Sequence, residues 1–274
     1  MSEVTLRVRD LARMAAFYRD VVGLSVVSET GDRVELSALA TRTGASLIVL
    51  ERAPDAPARP QGTAGLFHTA ILFPSRAALG RAARRLIERD VEFGTGDHGV
   101  SEALYFDDPE GNGVELYADR AVADWPPAGT DGQVTMYTKA VDVQSLLAAD
   151  GMETGLPIPL ETRIGHLHLC VANLAQAEAF FVDVLGFPVR QRSYPGALFM
   201  GRDGYHHHFG ANVWRSRFPA VAGALGLKRF TVNFTDSTEL ARVTAAAEAK
   251  GHVVVRDTQG VRLRTADGLE LVLK

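Results

Sequence analysis

VRDLARMAAFYRDVVGL (residues 8–24) and VANLAQAEAFFVDVLGF (residues 171–187) align without a gap and agree at 8 of 17 positions. Internal similarity of this kind has to be settled before any element is assigned, because it sets the architecture. Each copy opens on the end of a β-branched run and continues through a residue suited to cap a helix, Asp10 or Asn173. An amphipathic stretch follows, with Phe17 and Tyr18, or Phe180 and Phe181, on one face. Gly23 and Gly186 stand where such a helix would stop. A weaker pair, FHTAILFPSRAALGRAARRLIERDVEF (67–93) and FTVNFTDSTELARVTAAAEAKGHVV (230–254), has the same strand-then-helix plan.

Short strands follow every helix, closing with YFDDPEGNGVELYAD (105–119) in the second unit and RLRTADGLELVL (262–273) in the fourth. The expected fold is α+β, with four βαβββ modules at about 3–52, 65–119, 163–215 and 226–274. The halves 1–123 and 163–274 each hold two modules, and the four are expected to form two cupped mixed-sheet barrels. Residues 124–162 read as a connector, with WPPAG (125–129) and GLPIPLE (155–161) turn signals around a short helical piece, VDVQSLLAAD (141–150).

The chain has 274 residues, enough for two medium domains, and its 46% apolar and 23% charged residues support a full core. A net charge of −4 makes nucleic acid and anionic membranes unexpected partners. No apolar run approaches the ~18–20 residues that span a bilayer. The opening MSEVTLRVRD has no apolar signal region, so a secretory signal is not expected. The single cysteine, Cys170, can form no intrachain disulfide, which fits a cytoplasmic location.

The eight histidines are placed unevenly, with none before His68. Aligned on the last apolar residue of each module's first strand (Val8, Phe73, Val171, Phe234), the position five residues earlier holds Glu3, His68, His166 and Arg229. The last strands of the second and fourth modules carry Glu115 and Glu270. Strand side chains alternate faces, so His166 shares a face with His168, and His206 with His208, if 206–208 lies on the last strand of the third module. Should the second and third modules share a cup, His68, His166 and Glu115 can converge. Two imidazoles and one carboxylate with open positions suit non-haem Fe(II). The HLH pattern at 166–168 leaves His168 as a rival to His166.

This four-module plan resembles the vicinal oxygen chelate superfamily of glyoxalases, bleomycin and fosfomycin resistance proteins and extradiol dioxygenases. GDHGVSEALYFDDPEGNGVELYADR (96–120) is similar to the extradiol signature, through His98, Tyr105, the turn Asp108-Pro109-Glu110-Gly111-Asn112, and Glu115. GLFHTAILFP (65–74) and GYHHHFGANVW (204–214) are similar to the two-domain catechol 2,3-dioxygenase group. The resemblance implies an extradiol ring-cleaving dioxygenase acting on a small aromatic diol, with Fe(II), or Mn(II) or another divalent metal, and O2 as co-substrate. A homo-oligomer is also expected.

Carried over by position, His68, His166 and Glu115 would hold the metal and Tyr105 would bond a substrate oxygen. His206 would be the acid–base histidine and His98 a partner behind Tyr105. His208 is the alternative to His206, or a fourth ligand aligned with Glu115, as in the lyase branch. The first and fourth modules then look like a decayed duplicate, so the working site falls between the second and third, which requires a pairing other than simple sequential order. The rival readings are a glyoxalase-type lyase or isomerase and a non-catalytic resistance protein that binds small molecules.

Overall fold

A computed structural model describes residues 1–38, 46–149 and 158–274. Asp150 and the Gly155-Leu156-Pro157 part of the turn signal lie outside the described residues. The strands form two eight-stranded sheets and one two-stranded ribbon. One large sheet runs Val189–Gln191, Ala197–Met200, Phe209–Asn212, Arg163–Cys170, Gly65–Phe73, Gly113–Asp119, Ser101–Asp107, Gly94–Asp97. It joins the third module to the second. The other runs Val255–Asp257, Gly260–Arg264, Glu270–Leu273, Gly226–Val232, Glu3–Val8, Ile48–Arg52, Arg33–Ser37, Ser25–Glu29, joining the fourth module to the first.

The sheets therefore cut across the sequence halves 1–123 and 163–274, and the second and third modules share one sheet, the non-sequential pairing that a site between them requires. The reason lies in the edges. Within each module the first strand pairs in parallel with the last, as Gly65–Phe73 does with Gly113–Asp119, which leaves its other edge open. A buried, apolar strand cannot leave that edge unpaired. Gly65–Phe73 closes it antiparallel against Arg163–Cys170, and Glu3–Val8 does the same against Gly226–Val232.

The repeat motif folds as its residues require. Asp10 and Asn173 each accept a hydrogen bond from the backbone N–H three residues on, capping Leu11–Phe17 and Leu174–Glu178. Both helices then widen into a π-helical turn, Tyr18–Val22 and Ala179–Val184. Gly23 ends the first at a φ of 96°, a left-handed conformation open to glycine. Helices Arg76–Glu88 and Ser237–Ala249 complete the four modules, and Val143–Ala148 is the helical piece of the connector. One apolar core runs between the sheets, with Phe209 of one facing Phe230 of the other at a ring separation of 5.9 Å. Among the described residues no helix is long and apolar enough to cross a membrane.

Candidate metal centre

The strand register builds the site as two rows. In the first, Ala70 lies opposite His166 on one side and Glu115 on the other, and Glu115 lies opposite Tyr105. The methyl of Ala70 is short enough for its two neighbours to meet above it. In the second row His68 lies opposite His168, which lies opposite Gly210, which lies opposite Phe199. The pseudo-twofold axis between the modules exchanges the rows. His68 answers to His166, Ala70 to His168, Glu115 to Gly210 and Tyr105 to Phe199.

His68 and His166 point Nε2 at the same Glu115 oxygen, at 2.9 and 3.0 Å. All three residues are buried, and their ligand atoms lie within 4.8 Å of one another. Among the described residues this is the only such group. Burial would raise the Glu115 carboxyl, but the His166 and His68 imidazoles beside it hold it well below the usual carboxylate range. Burial also pushes His166 below the usual imidazole value, and that outweighs the pull of Glu115. Glu115 is thus held ionised, and the His68 and His166 Nε2 atoms face the same carboxylate oxygen. Nε2 of His68 has no hydrogen-bond partner of acceptable geometry. A buried, unpaired nitrogen beside an ionised carboxylate is the donor set a divalent cation completes.

The DPEGN turn orients Glu115. Asp108 accepts hydrogen bonds from the Glu110 and Asn112 backbone N–H groups, the Asn112 amide and the buried Tyr18 hydroxyl. On the next strand Tyr105 is half-buried beside Glu115, and desolvation and that carboxylate push its phenol well above the usual value. Its hydroxyl lies 2.8 Å from Nε2 of His98, whose Nδ1 lies 2.8 Å from the Tyr137 carbonyl. A carbonyl only accepts, so Nδ1 carries the proton and Nε2 of the neutral ring accepts from Tyr105.

The run 206–208 departs from the expected pattern. The strand starts at Phe209, so the three histidines lie in the bend before it and period-two alternation does not apply. His206, favoured for acid–base work, is fully buried behind the cavity wall, with Nε2 2.8 Å from Asp119. His208 packs on Phe187 and Tyr205, and burial lowers its imidazole to about 4. His207, which would sit on the opposite face if the run were a strand, is the member that lines the cavity, its ring 4.1 Å from that of His166. Burial and the surrounding imidazoles hold it well below the usual value. Nor is His208 aligned with Glu115. Gly210 is, and it has no side chain to serve as a fourth ligand.

The three side chains of the cluster sit on the floor of a cavity of about 540 Å³ whose walls include Phe67, Phe199, Tyr194, Trp214 and Met136. The second cup differs. Glu3, Thr5, Arg229 and Thr231 take the places of the histidine strands, and Val49 and Val272 stand where Glu115 and Gly210 stand in the first. Arg229 pairs with Glu51 instead of facing a ligand.

Two module pairs, with a His–His–Glu cluster in one cup and ion-paired residues in the other, define a duplicated α+β protein whose candidate metal centre, among the described residues, lies in one cup. The chain belongs to the Glyoxalase/Bleomycin resistance protein/Dioxygenase superfamily, which matches residues 1–116 and 163–264. It is 41% identical over 264 residues to a catechol-2,3-dioxygenase of Bacillus subtilis (strain 168), covering 94% of this chain and 91% of that protein. It is 30% identical over 164 residues to biphenyl-2,3-diol 1,2-dioxygenase 3 of Rhodococcus globerulus, covering 57% of this chain and 84% of that one. The fold also superposes on glyoxalase I from Zea mays with a TM-score of 0.58 at 14% identity, covering 100% and 91% of the two chains.

Proposed function

We propose that the protein is a metal-dependent extradiol dioxygenase that opens a catechol-type ring with O2. The observation that carries this reading is the buried His68–His166–Glu115 cluster on the floor of an aromatic-walled cavity. The full-length similarity to a catechol-2,3-dioxygenase supports it. His68, His166 and Glu115 would hold Fe(II) or a similar divalent ion, which supplies open positions for a diol and O2 and a route for electrons between them. Three protein ligands suit that chemistry. Gly210 in the place of a second carboxylate tells against the four-ligand lyase arrangement.

The remaining residues handle protons and orientation. Tyr105 lies next to Glu115, where its hydroxyl can bond a substrate oxygen, and His98 fixes its direction. Asp119 accepts from Nε2–H of His206, and with that one proton on the ring Nδ1 is left as an acceptor. Nδ1 of His207 lies 2.8 Å away and must donate to it. Nε2 of His207 is therefore left as a lone pair at the cavity wall. There it can take a proton from a substrate hydroxyl and later return it to the reacting oxygen. His207 thus replaces His206 as the acid–base group in this reading, and His206 positions it.

The test is anaerobic loading with Fe(II), then catechol and air. A yellow ring-opened product with stoichiometric oxygen uptake is expected. Turnover of a hemithioacetal without oxygen would instead establish the lyase reading.

A further inference from the structure

His168 takes no part in the chemistry above, and yet the fold makes room for it. Its ring lines the same cavity and is 3% exposed. It stands between His68 at 4.9 Å, Phe67 at 4.9 Å, Phe199 at 5.6 Å and Trp214 at 5.6 Å. A Cβ on Gly210 would come within 2.7 Å of its Cγ, so the imidazole occupies space that only glycine leaves free. Its Nε2 is buried with no hydrogen-bond partner. It does not belong to the group whose ligand atoms converge around Glu115.

An unpaired buried donor or acceptor is destabilising, and a site that keeps one is completed when a ligand supplies the missing bond. The pseudo-twofold comparison locates the ligand part concerned. Ala70, Glu115 and Tyr105 line the half of the cup next to the diol oxygens. His168, Gly210 and Phe199 line the equivalent half on the far side of the ligand cluster. A bare catechol has only two oxygens, both used at the first half.

Resting on the proposed dioxygenase reading, we infer that His168 is a specificity residue that hydrogen-bonds an oxygen on a ring substituent. The preferred substrates would then be catechols bearing a hydroxyl or carboxylate substituent, with the ring held by Phe67, Phe199 and Trp214. A hydroxyl needs only His168. A carboxylate also draws on Arg215, among the described residues the only arginine or lysine lining the cavity, whose guanidinium lies 5.5 Å from the Phe67 ring.

The test is anaerobic calorimetric titration of the Fe(II)-loaded protein with catechol, 3- and 4-methylcatechol, 1,2,3- and 1,2,4-benzenetriol, and 2,3- and 3,4-dihydroxybenzoate. Methyl and hydroxyl are close in size, so their affinity ratio isolates the hydrogen bond. At one ring position the wild type should favour the oxygen substituent by ~10-fold or more, the scale of one net hydrogen bond. His168→Leu should bring that ratio close to one, and His168→Gln should restore part of it. A preference for the benzoates alone that falls in Arg215→Gln assigns the carboxylate arm, and a preference for the triols assigns the hydroxyl arm. Equal binding of methyl and oxygen-bearing catechols by the wild type overturns the inference, as does a ratio unchanged in His168→Leu. Loss of iron in both His168 variants makes His168 a ligand and also overturns it. Failure of every catechol to bind the wild type overturns the dioxygenase reading itself.

Discussion

Replacing Asp119 with asparagine should impair turnover while leaving the metal in place. Asp119 lies at the end of the Gly113–Asp119 strand, and its side chain is 25% exposed, against 0% for His206. It accepts from Nε2–H of His206 at 2.8 Å and from the Tyr205 hydroxyl at 3.0 Å. An asparagine has one acceptor oxygen for these two donors, and its amide N–H₂ must face one of them. If it faces His206, Nε2 of that ring becomes the acceptor and Nδ1 takes the proton. Nδ1 of His207 must then accept, and Nε2 of His207 acquires a proton and stops being a base. A hydrogen bond to a charged group contributes about 1.5–3 kcal/mol, and partial exposure places this one near the lower limit. A loss of ~10–100-fold in kcat is expected, with the catechol KM little changed because no ligand to the diol is touched. Oxygen uptake against pH, with iron measured on the same samples, reads it. A kcat within threefold of wild type across pH 6–8 would refute the tautomer argument, and loss of iron would show that Asp119 supports the metal instead.

Glu115→Gln removes the only anionic side chain of the cluster, so it should fail to retain iron through gel filtration; iron content and activity equal to wild type would contradict the assignment. His207→Asn should keep the iron and bind catechol anaerobically while turnover falls by ~10²–10⁴-fold, and His206→Asn should fall less. The opposite order would return the acid–base role to His206. Gly210→Ala drives a methyl into the His168 ring and should cost about 1–3 kcal/mol, read as a lower Tm; an unchanged Tm would mean that the imidazole has room to move aside.

Local chemistry explains why much of this was readable along the chain. Capping by Asp10 and Asn173, the turn at Asp108–Asn112 and the strand–helix alternation depend on neighbours a few residues apart. Duplication did further work. It placed His68 and His166 at equivalent points, and a pseudo-twofold axis brings equivalent points together. What failed was reading a face from strand period where no strand exists. The bend at 206–208 turns His207 to the cavity and His206 to Asp119, which is 87 residues away in sequence.

The amino-acid order by itself determined the modules, the elements and the residue types able to bind a metal. Only the tertiary structure decided which modules share a sheet, because that depends on which open strand edges find each other across the long connector. It also decided that Gly210, and not His208, lies level with Glu115. Register between strands is set by side chains that pack across the sheet, and no single strand carries that information.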